Sequence, residues 1–114
     1  MNEIQVTARF TIHEGKLDDF KAVAAACLQS VREKDTGTLQ YDWFFNEDQT
    51  VCMVRERYKD SEAVLEHIAN LGETFGALLG VSNIFLEIYG TPSPALMKAS
   101  EGLDSVVYSY FHGL

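Results

Sequence analysis

The segment from Ile4 to Ile12 alternates strictly between apolar and polar residues, and this feature constrains the fold of the chain most. A period of two residues is typical of a β-strand that buries one of its faces. The apolar side of the strand carries Ile4, Val6, Ala8, Phe10 and Ile12. The rest of the chain therefore has to supply neighbouring strands and a layer that covers one face of the sheet.

Two later segments carry apolar residues at helical spacing. Gly37 ends the first segment and Gly72 ends the second, for which Asp60 is a suitable N-cap. The apolar positions are Leu17, Phe20, Ala24, Cys27, Leu28 and Val31 in the first segment, and Val64, Ile68 and Leu71 in the second. These patterns predict two amphipathic helices.

Three more β-patterns complete the order of elements. Residues 39–45 and a run ending near Tyr58 flank the turn-forming residues 46–49 and predict a hairpin, and residues 83–90 predict a fourth strand. The order βαββαβ predicts an α+β, ferredoxin-like fold with an antiparallel sheet and both helices on one face. We expect one domain over residues 1–114, with a core of about residues 4–90 and a short helix and strand within residues 93–111.

Charge and cysteine content exclude several classes of protein. The formal net charge is -8, and no cluster of Lys or Arg offsets it, so nucleic acid is not an expected partner. The first residues lack a signal-peptide pattern and no apolar run could span a membrane, so we expect a cytoplasmic protein without a membrane partner. Cys27 and Cys52 have no metal-ligand spacing and are interpreted as small buried hydrophobes without a disulfide.

Strand parity predicts which residues face the helices. The covered face should carry Leu39, Tyr41, Trp43, Phe45, Cys52, Val54, Glu56, Tyr58, Ile84, Leu86 and Ile88. The opposite face should carry Thr7, Arg9, Asp42, Phe44, Val51, Met53, Arg55, Arg57, Phe85, Glu87 and Tyr89. So many apolar residues on an uncovered face predict a homodimer in which two sheets pack together, with the arginines pairing with acids of the partner.

The C-terminal run from Val106 to Phe111 is too aromatic to remain a free end. We expect it to pair with an exposed sheet edge, either its own or the partner's, and of these the partner's edge is favoured.

Three segments carry a pattern that is found together in one known family. They are Ala8-Arg9-Phe10-Thr11-Ile12 with Glu14-Gly15-Lys16, then Gly37-Thr38-Leu39-Gln40-Tyr41-Asp42-Trp43, and Arg55-Glu56-Arg57-Tyr58-Lys59-Asp60-Ser61-Glu62-Ala63 running on to Glu66-His67-Ile68. In these segments the chain resembles the antibiotic biosynthesis monooxygenase domain family of small dimeric α/β-barrel proteins, over roughly Ile4 to Tyr89.

The resemblance implies a sheet-to-sheet homodimer with a pocket between sheet and helices. Some members of the family oxidise electron-rich phenols or hydroquinones with molecular oxygen and no cofactor. Other members degrade haem and use an Asn on the first strand and a Trp on the second helix, where this chain has Ala8 or Arg9 and His67. Haem is therefore not expected. No other cofactor is expected either.

His67 and Glu56 are the candidate catalytic residues. His67 lies beside the apolar stripe of the second helix, where partial burial would keep its imidazole neutral as a general base. Glu56 is the one acid on the helix-facing side of the third strand, where it would orient His67 or bind a substrate hydroxyl. The alternatives are an edge histidine bonded to a backbone carbonyl and a buried structural hydrogen bond.

Tyr41, Trp43 and Tyr58 are the candidate substrate-binding residues. Their rings could stack on an aromatic substrate, and the hydroxyl of Tyr41 or the indole N–H of Trp43 could stabilise a developing oxyanion. The alternative is that these aromatic residues are simply core. No metal site is expected, since His13 and His112 have no partner at ligand spacing.

The leading hypothesis is a cofactor-independent monooxygenase that acts on a small aromatic, quinol-like substrate. One alternative is a non-catalytic dimeric module that binds a small ligand or serves a stress or signalling role, because a fold does not determine a function. The other is a proton-transfer enzyme, such as an isomerase, that uses Glu56 and His67 without oxygen.

Overall fold

The computed structural model describes residues 2–114 as nine helices and strands within that range. Met1, which begins the stretch where no signal peptide is expected, lies outside the described residues. The elements are β1 (Ile4–Ile12), α1 (Leu17–Lys34), β2 (Thr38–Phe45), β3 (Val51–Tyr58), α2 (Ser61–Leu71), α3 (Glu73–Val81), β4 (Ser82–Tyr89), α4 (Pro94–Ala99) and β5 (Ser105–Tyr108).

The five strands form one sheet in the order β2-β3-β1-β4-β5. β1 lies in the middle and pairs antiparallel with β3 and with β4, while β2 pairs antiparallel with β3. A central position suits β1, because four of its apolar side chains are almost completely buried: Ile4, Val6, Ala8 and Phe10. The prediction of a ferredoxin-like α+β fold is confirmed.

The helices cover one face of the sheet, and the side chains between them form the core. Asp60 caps α2 as expected, since its carboxylate accepts a hydrogen bond from the N–H of Ala63 at 2.8 Å. Cys27 and Cys52 are free and completely buried, so the reading of both as hydrophobes is confirmed. Burial raises the pKa of each thiol to about 11, which keeps both protonated near neutral pH.

One residue departs from the parity that the sequence predicts. Leu39 is 51% exposed instead of lying under the helices. The pairing of β2 with β3 shifts between Thr38 and Gln40, so a bulge places Leu39 outside the regular alternation. The prediction for Leu39 was wrong because a strict period of two assumes an unbroken ladder.

The C-terminal strand also corrects a prediction. β5 pairs with β4 of its own chain, and the two strands run parallel. The favoured pairing with a partner's edge was wrong here, because the segment containing α4 is long enough to return the chain to the edge that β4 would otherwise leave open.

Among residues 2–114, no helix or strand covers the sheet face turned away from the helices, which is called the outer face. Phe44 is 53% exposed and Tyr89 is 37% exposed on this face. The guanidinium of Arg9 lies over the ring of Phe85, 5.1 Å from its centroid. None of the helices within residues 2–114 is long and apolar enough to cross a membrane.

Candidate active site

A cavity of about 70 Å³ lies between the sheet and the helices. One water molecule needs about 10–15 Å³ of such space, so the cavity holds roughly five to seven non-hydrogen atoms, the size of one six-membered ring. Its wall is almost entirely apolar. The polar side chains that line it from β2, β3 and α2 are Tyr41, Glu56 and His67. A few polar groups in an apolar pocket are typical of small-molecule sites.

His67 reaches the cavity from α2 and is 5% exposed. Its Nδ1 atom lies 2.9 Å from Oδ2 of Asp35, which is the C-cap residue of α1. Both side chains are buried, with 6% of the His67 side chain and 1% of the Asp35 side chain exposed. The partner of His67 is therefore Asp35, and among residues 2–114 no hydrogen bond joins His67 to Glu56.

Asp35 is held by three hydrogen bonds. The hydroxyl of Thr38 donates to Oδ2 at 2.6 Å, the amide of Asn70 donates to Oδ1 at 2.9 Å, and His67 supplies the third. Burial by itself would raise the pKa of Asp35, but these hydrogen bonds outweigh it and hold the pKa below its usual value. Asp35 is therefore a carboxylate at neutral pH.

This carboxylate determines the tautomer of His67. Because an ionised Asp35 only accepts hydrogen bonds, Nδ1 of His67 carries the proton and donates a hydrogen bond to Oδ2. Burial lowers the pKa of His67, although Asp35 opposes the effect, so the ring is neutral near pH 7. Nε2 is then the unprotonated nitrogen, which is the state that a general base requires.

Sequence reasoning missed Asp35. One signal was available: an acid at the C-terminal end of a helix opposes the helix dipole, which favours basic residues there. An acid in that position suggests that a tertiary partner holds it. The identity of the partner depends on how α1 packs against α2, which the pattern of apolar residues does not specify.

Glu56 projects from β3 into the same cavity. The hydroxyl of Tyr58 donates a hydrogen bond to its Oε1 atom. The residue as a whole keeps some accessible surface, yet protein surrounds its carboxyl group. This burial raises the pKa of Glu56 to about 7, and the bond from Tyr58 opposes the rise. Glu56 can therefore exchange a proton near neutral pH.

The aromatic candidates divide into two groups. Tyr41 lines the cavity, and its ring centroid lies 5.0 Å from that of His67. Trp43 and Tyr58 do not line it: Trp43 stacks on Phe10 with centroids 6.0 Å apart, and Tyr58 is completely buried, 5.4 Å from the ring of His67. Trp43 and Tyr58 thus support the cavity wall from behind.

The described residues contain no group of three or more His, Cys, Asp or Glu side chains placed to hold a metal ion. Proton transfer is the chemistry that the cavity groups can perform on their own, with a neutral imidazole and a carboxyl of raised pKa available to one ligand.

Comparison with known proteins places the fold in a family. The family model described as antibiotic biosynthesis monooxygenase matches residues 4–71, which is more than half of the chain. The chain belongs to the antibiotic biosynthesis monooxygenase family. The resemblance found in the sequence is confirmed, and the match includes Asp35, Tyr41, Glu56 and His67.

Solved structures of this fold agree with the family assignment. MupZ from Pseudomonas fluorescens is 24% identical, with a TM-score of 0.81 over 100% of this chain and 94% of MupZ. SnoaB, a cofactor-independent oxygenase from Streptomyces nogalater, is 18% identical, with a TM-score of 0.69 over 82% of this chain and 96% of SnoaB. A conserved protein from Methanosarcina mazei is 19% identical, with a TM-score of 0.70 over 78% of this chain and 92% of that protein. These likenesses show the shared fold, and no curated protein matches the sequence.

Proposed function

We propose that this protein is a cofactor-independent monooxygenase that oxidises a small phenol or hydroquinone. The observation that carries the proposal is the buried pair formed by Asp35 and His67, which presents a neutral imidazole to an apolar cavity of the size of one ring. The family and the likeness to SnoaB, a cofactor-independent oxygenase, support the same type of reaction.

The reaction begins with proton transfer. Nε2 of His67 accepts the phenolic proton, and the nearby carboxylate of Asp35 stabilises the imidazolium that forms. A phenolate is far richer in electrons than a phenol, and a ring carbon ortho or para to its oxygen that carries a hydrogen can form a bond to molecular oxygen. The apolar wall contributes by excluding water from the anion and from the oxygen.

The remaining steps balance without a cofactor. After the C–O bond forms, the distal peroxide oxygen takes up a proton. Loss of the ring hydrogen as a proton and cleavage of the O–O bond then release water and leave a quinone carbonyl. The phenol supplies all four electrons, one oxygen atom enters the product and the other leaves as water.

Glu56 is the residue that we assign to the second proton transfer. With a pKa of about 7, its carboxyl group is partly protonated at neutral pH and can donate to the peroxide oxygen. Tyr58 holds this carboxyl group from behind the wall. Tyr41 is assigned to packing against the ring of the substrate, since it is the aromatic candidate that lines the cavity.

A proton-transfer enzyme such as an isomerase is the second candidate function. It is favoured by the same placement of His67 and Glu56 on one cavity, because a base and an acid on one small molecule suffice to move a proton between two carbon or oxygen atoms. This reaction requires no oxygen, which separates it from the first candidate.

We further propose that the protein is a homodimer that packs outer face against outer face. The exposed rings of Phe44 and Tyr89 lie on this face between charged residues of both signs. A second copy would bury these rings and would bring Arg55 near acids of the partner.

Oxygen consumption tests the proposed activity. The wild-type protein, His67→Ala and Glu56→Gln are assayed on a panel of hydroquinones and polyphenols, with His13→Ala as the matched control. His13 is exposed and bonds to Asn83 at 3.0 Å, away from the cavity. We expect consumption that falls by roughly 10²–10⁴ in His67→Ala and stays unchanged in the control.

Two other outcomes would contradict the oxygenase. Turnover of the same compounds under nitrogen, with the same loss in His67→Ala, would indicate the proton-transfer enzyme. Neither oxygen consumption nor anaerobic turnover of any compound would favour a non-catalytic binding module.

A further inference from the structure

The C-terminal segment forms one side of the cavity. Leu96, Ala99, Ser100 and Leu103 line it from α4 and from the turn that follows. These residues lie beyond residue 71, where the match to the family model ends. The part of the wall that they form is therefore additional to the matched family segment.

This segment is anchored at both ends. At its start, Leu96 is 2% exposed and packs with Ile4, Tyr58 and Val64, and the hydroxyl of Ser61 accepts a hydrogen bond from the N–H of Ser93 at 3.0 Å. At its end, the N–H of Leu86 in β4 donates to the carbonyl of Asp104 at 2.9 Å, and β5 then continues along β4. The segment is part of the folded structure and holds a defined position over the cavity.

Between the anchors the wall contains residues that also face the solvent. Ala99 lines the cavity and is also exposed to solvent, and Glu101, Gly102 and Asp104 are exposed as well. Gly102 adopts a φ of +87°, which a residue with a side chain rarely tolerates, and it turns the chain so that the half-buried Leu103 follows on the cavity side. The other walls consist of sheet strands and packed helices.

We propose that residues 99–103 are the entrance side of the cavity and that Leu103 determines the size of substrate that the cavity accepts. The proposal deepens the proposed function and rests on its assignment of the cavity as the substrate site. The chemical class that fits is a neutral phenol with one ring and no large substituent, because the cavity holds roughly five to seven non-hydrogen atoms and none of the described residues that line it is a lysine or an arginine. A second fused ring exceeds the space of the cavity, and the proposal assigns this limit to the side chain of Leu103.

Binding of two probes tests this proposal without any turnover. Phenol has one ring and 1-naphthol has two, and both bind as neutral molecules at pH 7. Dissociation constants for both are measured by calorimetry, and for 1-naphthol also by its own fluorescence. The proteins compared are wild type, Leu103→Ala and Leu103→Trp, with Met97→Ala as the matched control because Met97 is 46% exposed on α4 and does not line the cavity.

We expect the preference for phenol over 1-naphthol to fall by tenfold or more in Leu103→Ala and to remain at the wild-type value in Met97→Ala. In Leu103→Trp we expect both probes to bind more weakly than in the wild type. An unchanged preference in a Leu103→Ala protein with a wild-type circular dichroism spectrum would overturn the proposal. So would an equal change in Met97→Ala, or binding of neither probe to any of the four proteins.

The result is distinguishable from failure of the proposed function. If the preference changes as expected while oxygen consumption is absent, Leu103 controls access to a cavity that serves another purpose. If oxygen consumption depends on His67 while the preference is unchanged, the activity stands and the entrance lies elsewhere.

Discussion

Nδ1 of His67 lies 2.9 Å from Oδ2 of Asp35, and this contact joins the end of α1 to the middle of α2. Thr38 and Asn70 donate to the same carboxylate, so Asp35 stays ionised although its side chain is buried. The carboxylate in turn keeps the proton of His67 on Nδ1 and leaves Nε2 as the base. The proton chemistry of the cavity therefore depends on a residue that does not line it.

Replacing Asp35 with Asn should weaken His67 as a base. The carboxylate raises the pKa of His67 against the effect of burial, so its loss lowers that pKa further. His67 is an active base only when it is unprotonated, and in the wild-type protein the acid limb of kcat/KM against pH therefore lies below pH 6.5. In Asp35→Asn this limb should move to still lower pH. The plateau of kcat/KM should fall about 10-fold or more. Steady-state kinetics from pH 4 to pH 8 measure both changes.

Nitrogen NMR provides the check on the structural cause. In the wild-type protein we expect the spectrum of a neutral imidazole protonated at Nδ1. A wild-type spectrum with the proton on Nε2 would contradict the role of Asp35, whatever the kinetics show.

Glu56→Gln should become more stable relative to wild type as the pH rises. The pKa of Glu56 is raised by burial from 4.5 to about 7, so the folded state favours the protonated carboxyl group. The stability that depends on this proton is fully present below about pH 4.5 and is lost as the pH rises through 7. Gln stays neutral, so its advantage should grow by up to roughly 3 kcal/mol between pH 4.5 and pH 8.5.

Urea unfolding of both proteins at several pH values measures this difference. Tyr58→Phe serves as a second arm: the hydrogen bond from Tyr58 lowers the pKa of Glu56, so its removal should shift the pH dependence upward. A stability difference between Glu56→Gln and wild type that is the same at every pH would refute the assignment of a raised pKa.

Phe44→Glu should convert a dimer to a monomer. Phe44 is 53% exposed on the outer face, and a carboxylate there would lose its hydration when it is buried against the partner. Met97→Glu is the matched control, since Met97 is similarly exposed at 46% but lies on α4. Sedimentation velocity distinguishes a dimer from a monomer in each variant. A dimer that survives Phe44→Glu would show that another surface forms the interface.

Trp43→Phe should change stability little. Nε1 of Trp43 is buried and has no acceptor within the described residues, so the variant removes a donor that is desolvated without compensation. The smaller ring also leaves some empty space, which costs a comparable amount. We expect a net change within about 1 kcal/mol in chemical unfolding, and a loss above about 3 kcal/mol would mean that the N–H has a partner.

Much of the fold follows from residue patterns alone. The alternation from Ile4 to Ile12 predicts the central strand, and the helical spacing that ends at Gly37 and Gly72 predicts the covering layer. These are local properties, since the period of apolar residues reports directly on which face a strand or helix buries. Exceptions arise where the ladder is irregular, as at Leu39, or where the choice of edge is not local, as for β5.

For the candidate site too, local patterns predict some features and tertiary contacts decide the others. The sequence by itself determined that Glu56 and His67 face the buried side, because parity and helical spacing place single residues on faces. Only the tertiary structure decided that Asp35 bonds to His67, that Tyr58 bonds to Glu56, and that the turn before β5 closes the cavity. These contacts join residues on different elements or depend on rotamers, and their partners are chosen by how the elements pack in three dimensions.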